Sequence, residues 1–283
     1  MGTLFKLSVR VTPLTEAVTV QLLQEVFQTS ACVETDVEQD ITAVSVFLHR
    51  APARAKLRKF PHVSIRKLRH ENWAESWKRH FRPIAIGSKL LIKPSWSQRR
   101  ARRGQAVVVL DPGLSFGTGQ HPTTRFCLEQ LAAFRQPGRR QAFLDIGTGS
   151  GVLAIAAAKL GYAPVHAFDI DPEALRIARA NAVKNRVPHI RLICKDLAGE
   201  PMAAERQYDL ICANLLADLL LNERERLLNR LKPSGCLVLA GILRQEFDEA
   251  RAAYENGGLQ LVAQHAENEW HSGAFSSGRK FRK

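Results

Sequence analysis

The chain has 283 residues, 45% of them hydrophobic, and a formal net charge of +14. That length suits two domains or one large one, and the apolar content is ordinary for a soluble globular protein. It excludes a membrane-spanning helix, because no run nears the roughly 18 to 20 apolar residues that cross a bilayer.

The opening MGTLFKLSVRVTP lacks the pattern of a secretion signal, and Lys6 stands where myristoylation needs Ser or Thr. Five cysteines lie at 32, 127, 194, 212 and 236, with no C-x-x-C pair. Neither a disulfide framework nor a metal site is expected, each cysteine reads as a small buried apolar residue, and a reducing cytoplasm fits. The basic residues concentrate in 89–103, around SQRRARRGQ, and in the tail GRKFRK. Such charge points to RNA, a ribosomal particle or an acidic protein face as a partner.

In chain order, LFKLSVRV alternates as a strand does. TEAVTVQLLQEVF carries a helical stripe at Val18, Leu22, Leu23, Val26 and Phe27, with Thr15 as N-cap. CVETDVE and TAVSVFLH read as two strands joined at Gln39 and Asp40, PARAKLRKF as a short basic helix and HVSIRKLR as a last strand. The order βαββαβ is the ferredoxin-like arrangement. Residues 1–70 hold no catalytic constellation, so they read as a recognition module.

Residues 71–105 read as an aromatic and basic linker. ENWAESWKRHF sets Trp73, Trp77 and Phe81 on one helical face, LLIKPSW reads as a strand and SQRRARRG as an exposed loop. From 106 to 283 strands and helices alternate. FLDIG, VHAFDID, YDLICANLL and GCLVLAGI are the strands, separated by helical GVLAIAAAKLG, PEALRIARANAVKN and ADLLLNERERLLNRLKP. This repetition predicts an α/β fold with a parallel sheet covered on both faces. GLQLVAQHAENEWHSGAFSS predicts a closing antiparallel hairpin.

The loop DIGTGSG follows a strand and opens a helix, where glycines let a ligand approach the backbone. Its spacing is G-x-G-x-G over Gly147, Gly149 and Gly151, not the dinucleotide G-x-G-x-x-G. Asp169, about twenty residues on, stands where an acid accepts ribose hydroxyls. Asp145 just before the loop would repel a pyrophosphate but suits a ligand bearing an ammonium group. These features favour S-adenosylmethionine over a nicotinamide dinucleotide.

DIGTGSG, FDIDP and ANLL together resemble a class I, Rossmann-like methyltransferase. LDPGLSFGTGQHPTT, ENWAESWK, AGIL and the small N-terminal unit narrow the resemblance, over essentially the whole chain, to the PrmA family. That resemblance implies methyl transfer from S-adenosylmethionine to lysine or N-terminal amino groups of the eleventh protein of the large ribosomal subunit. It implies Thr124, Gly147, Asp169 and Asn214 as cofactor residues. Asp196, in ICKDLAG, reads either as a contact to the adenine amino group or as a solvated loop acid. In FGTGQHPTT, Phe116, Gly117, Thr118 and Gly119 read as a mobile loop beside the ligand, and His121 as a group that orients the acceptor amine or a water. Asn214 would aim the amine's lone pair. No metal is needed, a monomer is expected, and contact with ribosomal RNA stays open.

Two other functions fit parts of the pattern. A nucleic-acid amino methyltransferase would also carry an Asn at this strand tip, but there Pro-Pro and an aromatic follow it, where this chain has Leu215 and Leu216. A non-catalytic RNA-binding assembly factor would explain the basic loops but not the full set of Asp145, Gly147, Asp169 and Asn214.

Overall fold

The structure, a computed structural model, describes residues 4–12, 15–27, 29, 31–36, 41–48, 50–57, 60, 63–68, 82–111, 121–202 and 207–277. The chain divides into two compact units, residues 1–80 and 81–283.

In the first unit, β1 (Leu4–Val11), α1 (Glu16–Phe27), β2 (Ala31–Asp36), β3 (Ile41–Leu48), α2 (Arg54–Leu57) and β4 (Val63–Leu68) follow the expected order. The sheet runs β2-β3-β1-β4, antiparallel throughout, which is the ferredoxin-like order. Leu7, Val9, Val44 and Val46 alternate inward from the central strands onto Leu23 of α1. Each such buried side chain contributes about 1.5–3 kcal/mol. The Thr15 carbonyl accepts from Thr19 N–H at 3.0 Å, and its hydroxyl reaches back to Thr12, accepting from the Thr12 N–H (3.0 Å) and donating to the Thr12 carbonyl (3.2 Å).

The second unit opens with a three-stranded sheet, β5 (Ile84–Ile86), β6 (Leu90–Lys93) and β7 (Ala106–Val109), in the order β5-β6-β7. Much of the segment expected as a linker is therefore folded, because Leu90, Leu91 and Ile92 alternate with nothing polar and are buried. The loop at 98–104 is exposed, as its arginines predict. Asn185 ties β7 to the main domain, accepting from Val109 N–H and donating to the Val109 carbonyl, both at 2.7 Å. The helical face of Trp73, Trp77 and Phe81 and the tail GRKFRK lie outside the described residues.

The rest is α3 (Pro122–Phe134), β8 (Phe143–Ile146), α4 (Val152–Lys159), β9 (Val165–Asp169), α5 (Pro172–Lys184), β10 (Arg191–Cys194) and β11 (Tyr208–Asn214). Then come α6 (Ala217–Asn222), α7 (Arg224–Arg230), β12 (Leu231–Leu243), α8 (Phe247–Asn256), β13 (Gln260–Glu267) and β14 (Trp270–Ser276). The sheet order is β10-β9-β8-β11-β12-β14-β13; the first five strands are parallel and the closing hairpin antiparallel. One face carries Leu210, Cys212, Val238, Ala240 and Ala274, covered by α3 and α4. The other carries Ile211, Ala213, Leu237, Leu239 and Phe275, covered by α6 and α8.

The structure departs from the sequence reading in four further places. The single helix expected over 217–233 breaks at Glu223, whose backbone leaves the helical region (φ −99, ψ 12) and whose carboxylate takes Arg226 at 2.5 Å. Strand β10 is short and only half buried, so it gave no apolar run to read. Helix α8 was also not foreseen, its buried stripe being Phe247, Ala250 and Tyr254 alone. Cys127, Cys212 and Cys236 are buried, but Cys32 is half-buried and Cys194 exposed. Among the described residues no helix is long and apolar enough to cross a membrane.

Candidate functional site

The carboxyl ends of the parallel strands bring most of the expected residues to one edge. Gly147, Gly149 and Gly151 all adopt positive φ, at 70°, 52° and 81°. A side chain is disfavoured there, so the glycines fix a tight turn from β8 into α4. Gly151 also packs on α5, where an added Cβ would lie 3.0 Å from the Ala178 Cβ. The N–H groups of Gly147 and Thr148 both donate to the Phe168 carbonyl of β9, at 3.0 and 3.1 Å.

Asp169 closes the turn from the other side. Its Oδ2 accepts from Gly149 N–H at 2.8 Å and its Oδ1 from Asp171 N–H at 3.0 Å. Asp171 in turn caps α5 by accepting from Glu173 N–H at 2.9 Å, with Pro172 in the first turn. The glycine loop and the acid at the tip of β9 are thus one hydrogen-bonded object.

Asp145 lies beneath the loop and is 1% exposed. Its Oδ2 accepts from the Thr148 hydroxyl (2.7 Å) and from Ala154 N–H (3.2 Å). Its Oδ1 is buried and unpaired among the described residues. Burial pushes its carboxyl up to about 7; the bonds from Thr148 and Ala154 oppose this and the charge of Asp169 adds to it. Thr124 stands in the first turn of α3, 1% exposed, and its Oγ1 is the other buried oxygen without a partner among the described residues. An unpaired buried oxygen costs about 1–3 kcal/mol.

A cleft between the tips of β8, β9 and β10 is lined by Gly147, Asp169, Ile170, Asp196 and Leu215. Asp196 is exposed and accepts from Ala198 N–H at 3.0 Å, which makes a local turn. Lys195 beside it pairs with Glu200 at 2.6 Å.

Asn214 ends β11 opposite Ala240 of β12. Here the structure adds a residue with no role in the sequence reading. Gly241 has φ +82, and a Cβ on it would lie 2.6 Å from the Leu215 carbonyl oxygen and 3.1 Å from Asn214 Oδ1. Only glycine lets β12 bulge so close to the Asn214 amide. A glycine inside a strand pattern, in AGIL, is the signal for it.

His121 is the N-cap of α3, and its Nδ1 lies 2.7 Å from the Thr123 hydroxyl. Its ring meets Trp270 of β14 edge-on at 5.1 Å. Burial lowers its pKa, against the opposing charges of Glu269 and Glu267. Phe116, Gly117, Thr118 and Gly119 lie outside the described residues.

Among the described residues, Gly147, Asp169 and Asp196 thus line one cleft at the strand tips, with Asp145 bonded into the loop and Asn214 at the end of the neighbouring strand β11. A family model described as "Ribosomal protein L11 methyltransferase (PrmA)" matches residues 8–277. A ribosomal protein L11 methyltransferase of Trichlorobacter lovleyi is 42% identical over 238 residues, 83% of this chain and 76% of that protein. One of Geobacter metallireducens is 38% identical over 245 residues, 86% of this chain and 79% of that protein. The crystal structure of a ribosomal protein L11 methylase from Lactobacillus delbrueckii subsp. bulgaricus superposes with a TM-score of 0.61 at 32% identity, covering 71% of this chain and 100% of that one. By the extent of these matches and the site they enclose, this chain belongs to the ribosomal protein L11 methyltransferase (PrmA) family.

Proposed function

We propose that the chain methylates amino groups of ribosomal protein L11, with S-adenosylmethionine as donor, in the cytoplasm. The observation that carries the reading is the joined glycine loop and Asp169 above a buried Asp145 oxygen that has no partner among the described residues. These residues fit the donor. Asp169 keeps lone pairs for ribose hydroxyls, Gly147 leaves backbone accessible, and Asp145 supplies negative charge to a cationic ligand. Thr124 adds a buried hydroxyl in need of a partner, and Asp196 is a rim acceptor for the adenine.

When bound, S-adenosylmethionine supplies a methyl group made electrophilic by its sulfonium. The protein's task is to align the acceptor and keep its nitrogen uncharged. A lysine amine has a pKa near roughly 10.4, so desolvation at the strand tips must favour its neutral form. Asn214 Oδ1 accepts an N–H of the amine and aims its lone pair. His121, its Nδ1 engaged by Thr123, orients the acceptor or a water that carries the released proton away.

Residues 1–80 act as the recognition module, and the second unit does the chemistry. The exposed arginines at 99–103 support an added contact with ribosomal RNA. Incubation with labelled donor and cell lysate tests the reading. Label in ribosomal protein L11 supports it; label confined to RNA, or none, contradicts it.

A further inference from the structure

The positive charge of the second unit is gathered at its start. From Phe81 to Leu110 seven lysines and arginines stand without one Asp or Glu, so this stretch carries half of the chain's net +14. Charge that only keeps a surface wetted mixes both signs, because a single-sign cluster repels itself. Both lysines and one arginine of the stretch are engaged within the fold. Lys89 Nζ donates to the Ala132 carbonyl at 2.7 Å, and Lys93 Nζ to the carbonyls of Ser97 and Arg99, each at 3.0 Å. Arg99 Nη1 donates to the Pro83 carbonyl at 3.2 Å. Arg82, Arg100, Arg102 and Arg103 are exposed, and among the described residues no carboxylate pairs with them. Asp111, the first acid that follows, is already taken by Lys184 and by Ser95.

The loop joining β6 to β7 is a fixed platform for these side chains. Asp111 holds its start, accepting from the Ser95 N–H at 2.6 Å and the Ser95 hydroxyl at 2.9 Å. Lys93 holds its middle through the two carbonyls. Gln105 holds its end, accepting from Arg102 N–H and donating to the Leu90 carbonyl, both at 3.1 Å, and Gly104 makes the turn at φ +77. The backbone is thus ordered before a ligand arrives, which lowers the entropy that binding must remove. Every cation of residues 94–105 is an arginine, whose planar fork grips two phosphate oxygens where lysine offers a point charge. Single strands are held chiefly by aromatic side chains that stack on their bases. The one aromatic of residues 94–105 is Trp96, and it is half-buried. A double helix hides its base faces and presents phosphates, which is what this loop can meet.

We propose that the β6–β7 loop binds the phosphate backbone of double-helical RNA, through Arg100, Arg102 and Arg103 with Arg82 at its flank. Recognition is of backbone, without reading of sequence. The choice of RNA over another polyanion rests on the function proposed above, since a ribosomal protein is met in the company of ribosomal RNA. None of the loop's residues lines the cleft at the strand tips. The loop therefore adds a hold on RNA without entering the chemistry.

The test uses the full-length chain and a fluorescent RNA hairpin with a long stem. Arg100→Gln, Arg102→Gln and Arg103→Gln combined should weaken binding by roughly 10- to 100-fold in about 0.1 M salt, and lower the slope of log affinity against log salt by about 3. A single strand of equal length and composition should bind more weakly than the hairpin. Melting temperature, affinity for S-adenosylmethionine and rate on free ribosomal protein L11 should not change in the variant. An unchanged salt slope overturns the site. Equal or tighter binding of the single strand overturns the duplex assignment. Tighter binding of a DNA duplex, or displacement of the hairpin by polyglutamate at equal charge, overturns RNA as the partner. If the combined variant does not fold, Arg103→Gln alone should lower the slope by about 1, and no change then overturns the site. Absence of transfer to ribosomal protein L11 by the unaltered chain overturns the proposed function, a result separate from hairpin binding.

Discussion

Gly149 donates its backbone N–H to Asp169 Oδ2 over 2.8 Å, a bond that joins two motifs twenty residues apart in the chain. The same carboxylate takes Asp171 N–H on Oδ1, so it shapes the loop and still has lone pairs to offer. Asp169→Asn replaces one acceptor oxygen by a donor that faces another N–H. The expected loss is about 1–3 kcal/mol of cofactor binding, at least tenfold in affinity at the middle of that range. Calorimetric titration checks it, and unchanged affinity contradicts the assignment.

Asp145 makes a prediction about pH. Burial raises its folded-state pKa to about 7, well above the ordinary carboxylate range. Its stabilising contribution is therefore complete below the unfolded value and is lost as pH rises through about 7. A rise from the ordinary carboxylate range to about 7 bounds this loss at about 4 kcal/mol. Asp145→Asn should melt higher than the unaltered protein at pH 8, with the gap closing toward pH 4. The ionised form suits a cationic donor, so affinity for S-adenosylmethionine should tighten from pH 6 to 8 in the unaltered protein and not in the variant. A constant melting gap across that range contradicts the buried titration.

Gly241 tests the packing under Asn214. Gly241→Ala forces a Cβ into a left-handed backbone position, 2.6 Å from the Leu215 carbonyl oxygen. The expected cost is about 1–3 kcal/mol of stability. The displaced Asn214 amide should lower single-turnover rate more than cofactor affinity. Urea unfolding and rapid-quench rates check the two effects, and unaltered turnover removes Gly241 from any positioning role.

The strand tips that carry the candidate site were legible in the sequence together with the parallel sheet they end. DIGTGSG and FDIDP sit at strand tips, and glycine spacing plus an acid about twenty residues on has few other physical meanings. The βαββαβ order could be read because each strand of the first unit alternates cleanly. Strand β10 could not, since its four residues are flanked by charge and only half buried. The break at Glu223 was hidden because LLLNERERLL keeps a helical apolar period on both sides of it. The Trp270 and His121 pair is about 150 residues apart in sequence, and only strand register brings it together.

The division of labour predicts the behaviour of a fragment. A chain of residues 81–283 contains every candidate cofactor residue and both large core layers. It should bind S-adenosylmethionine with the affinity of the full chain and lose methylation of ribosomal protein L11. Full activity of the fragment on intact L11 contradicts a recognition role for residues 1–80.

The most direct test is the intact mass of ribosomal protein L11 after incubation with the purified chain and S-adenosylmethionine. Mass steps of one methylene on L11 are predicted, located to amino groups by fragmentation, with Asn214→Ala binding the cofactor normally but giving the steps far more slowly. No mass change on L11, or Asn214→Ala forming product at the unaltered rate, contradicts the account.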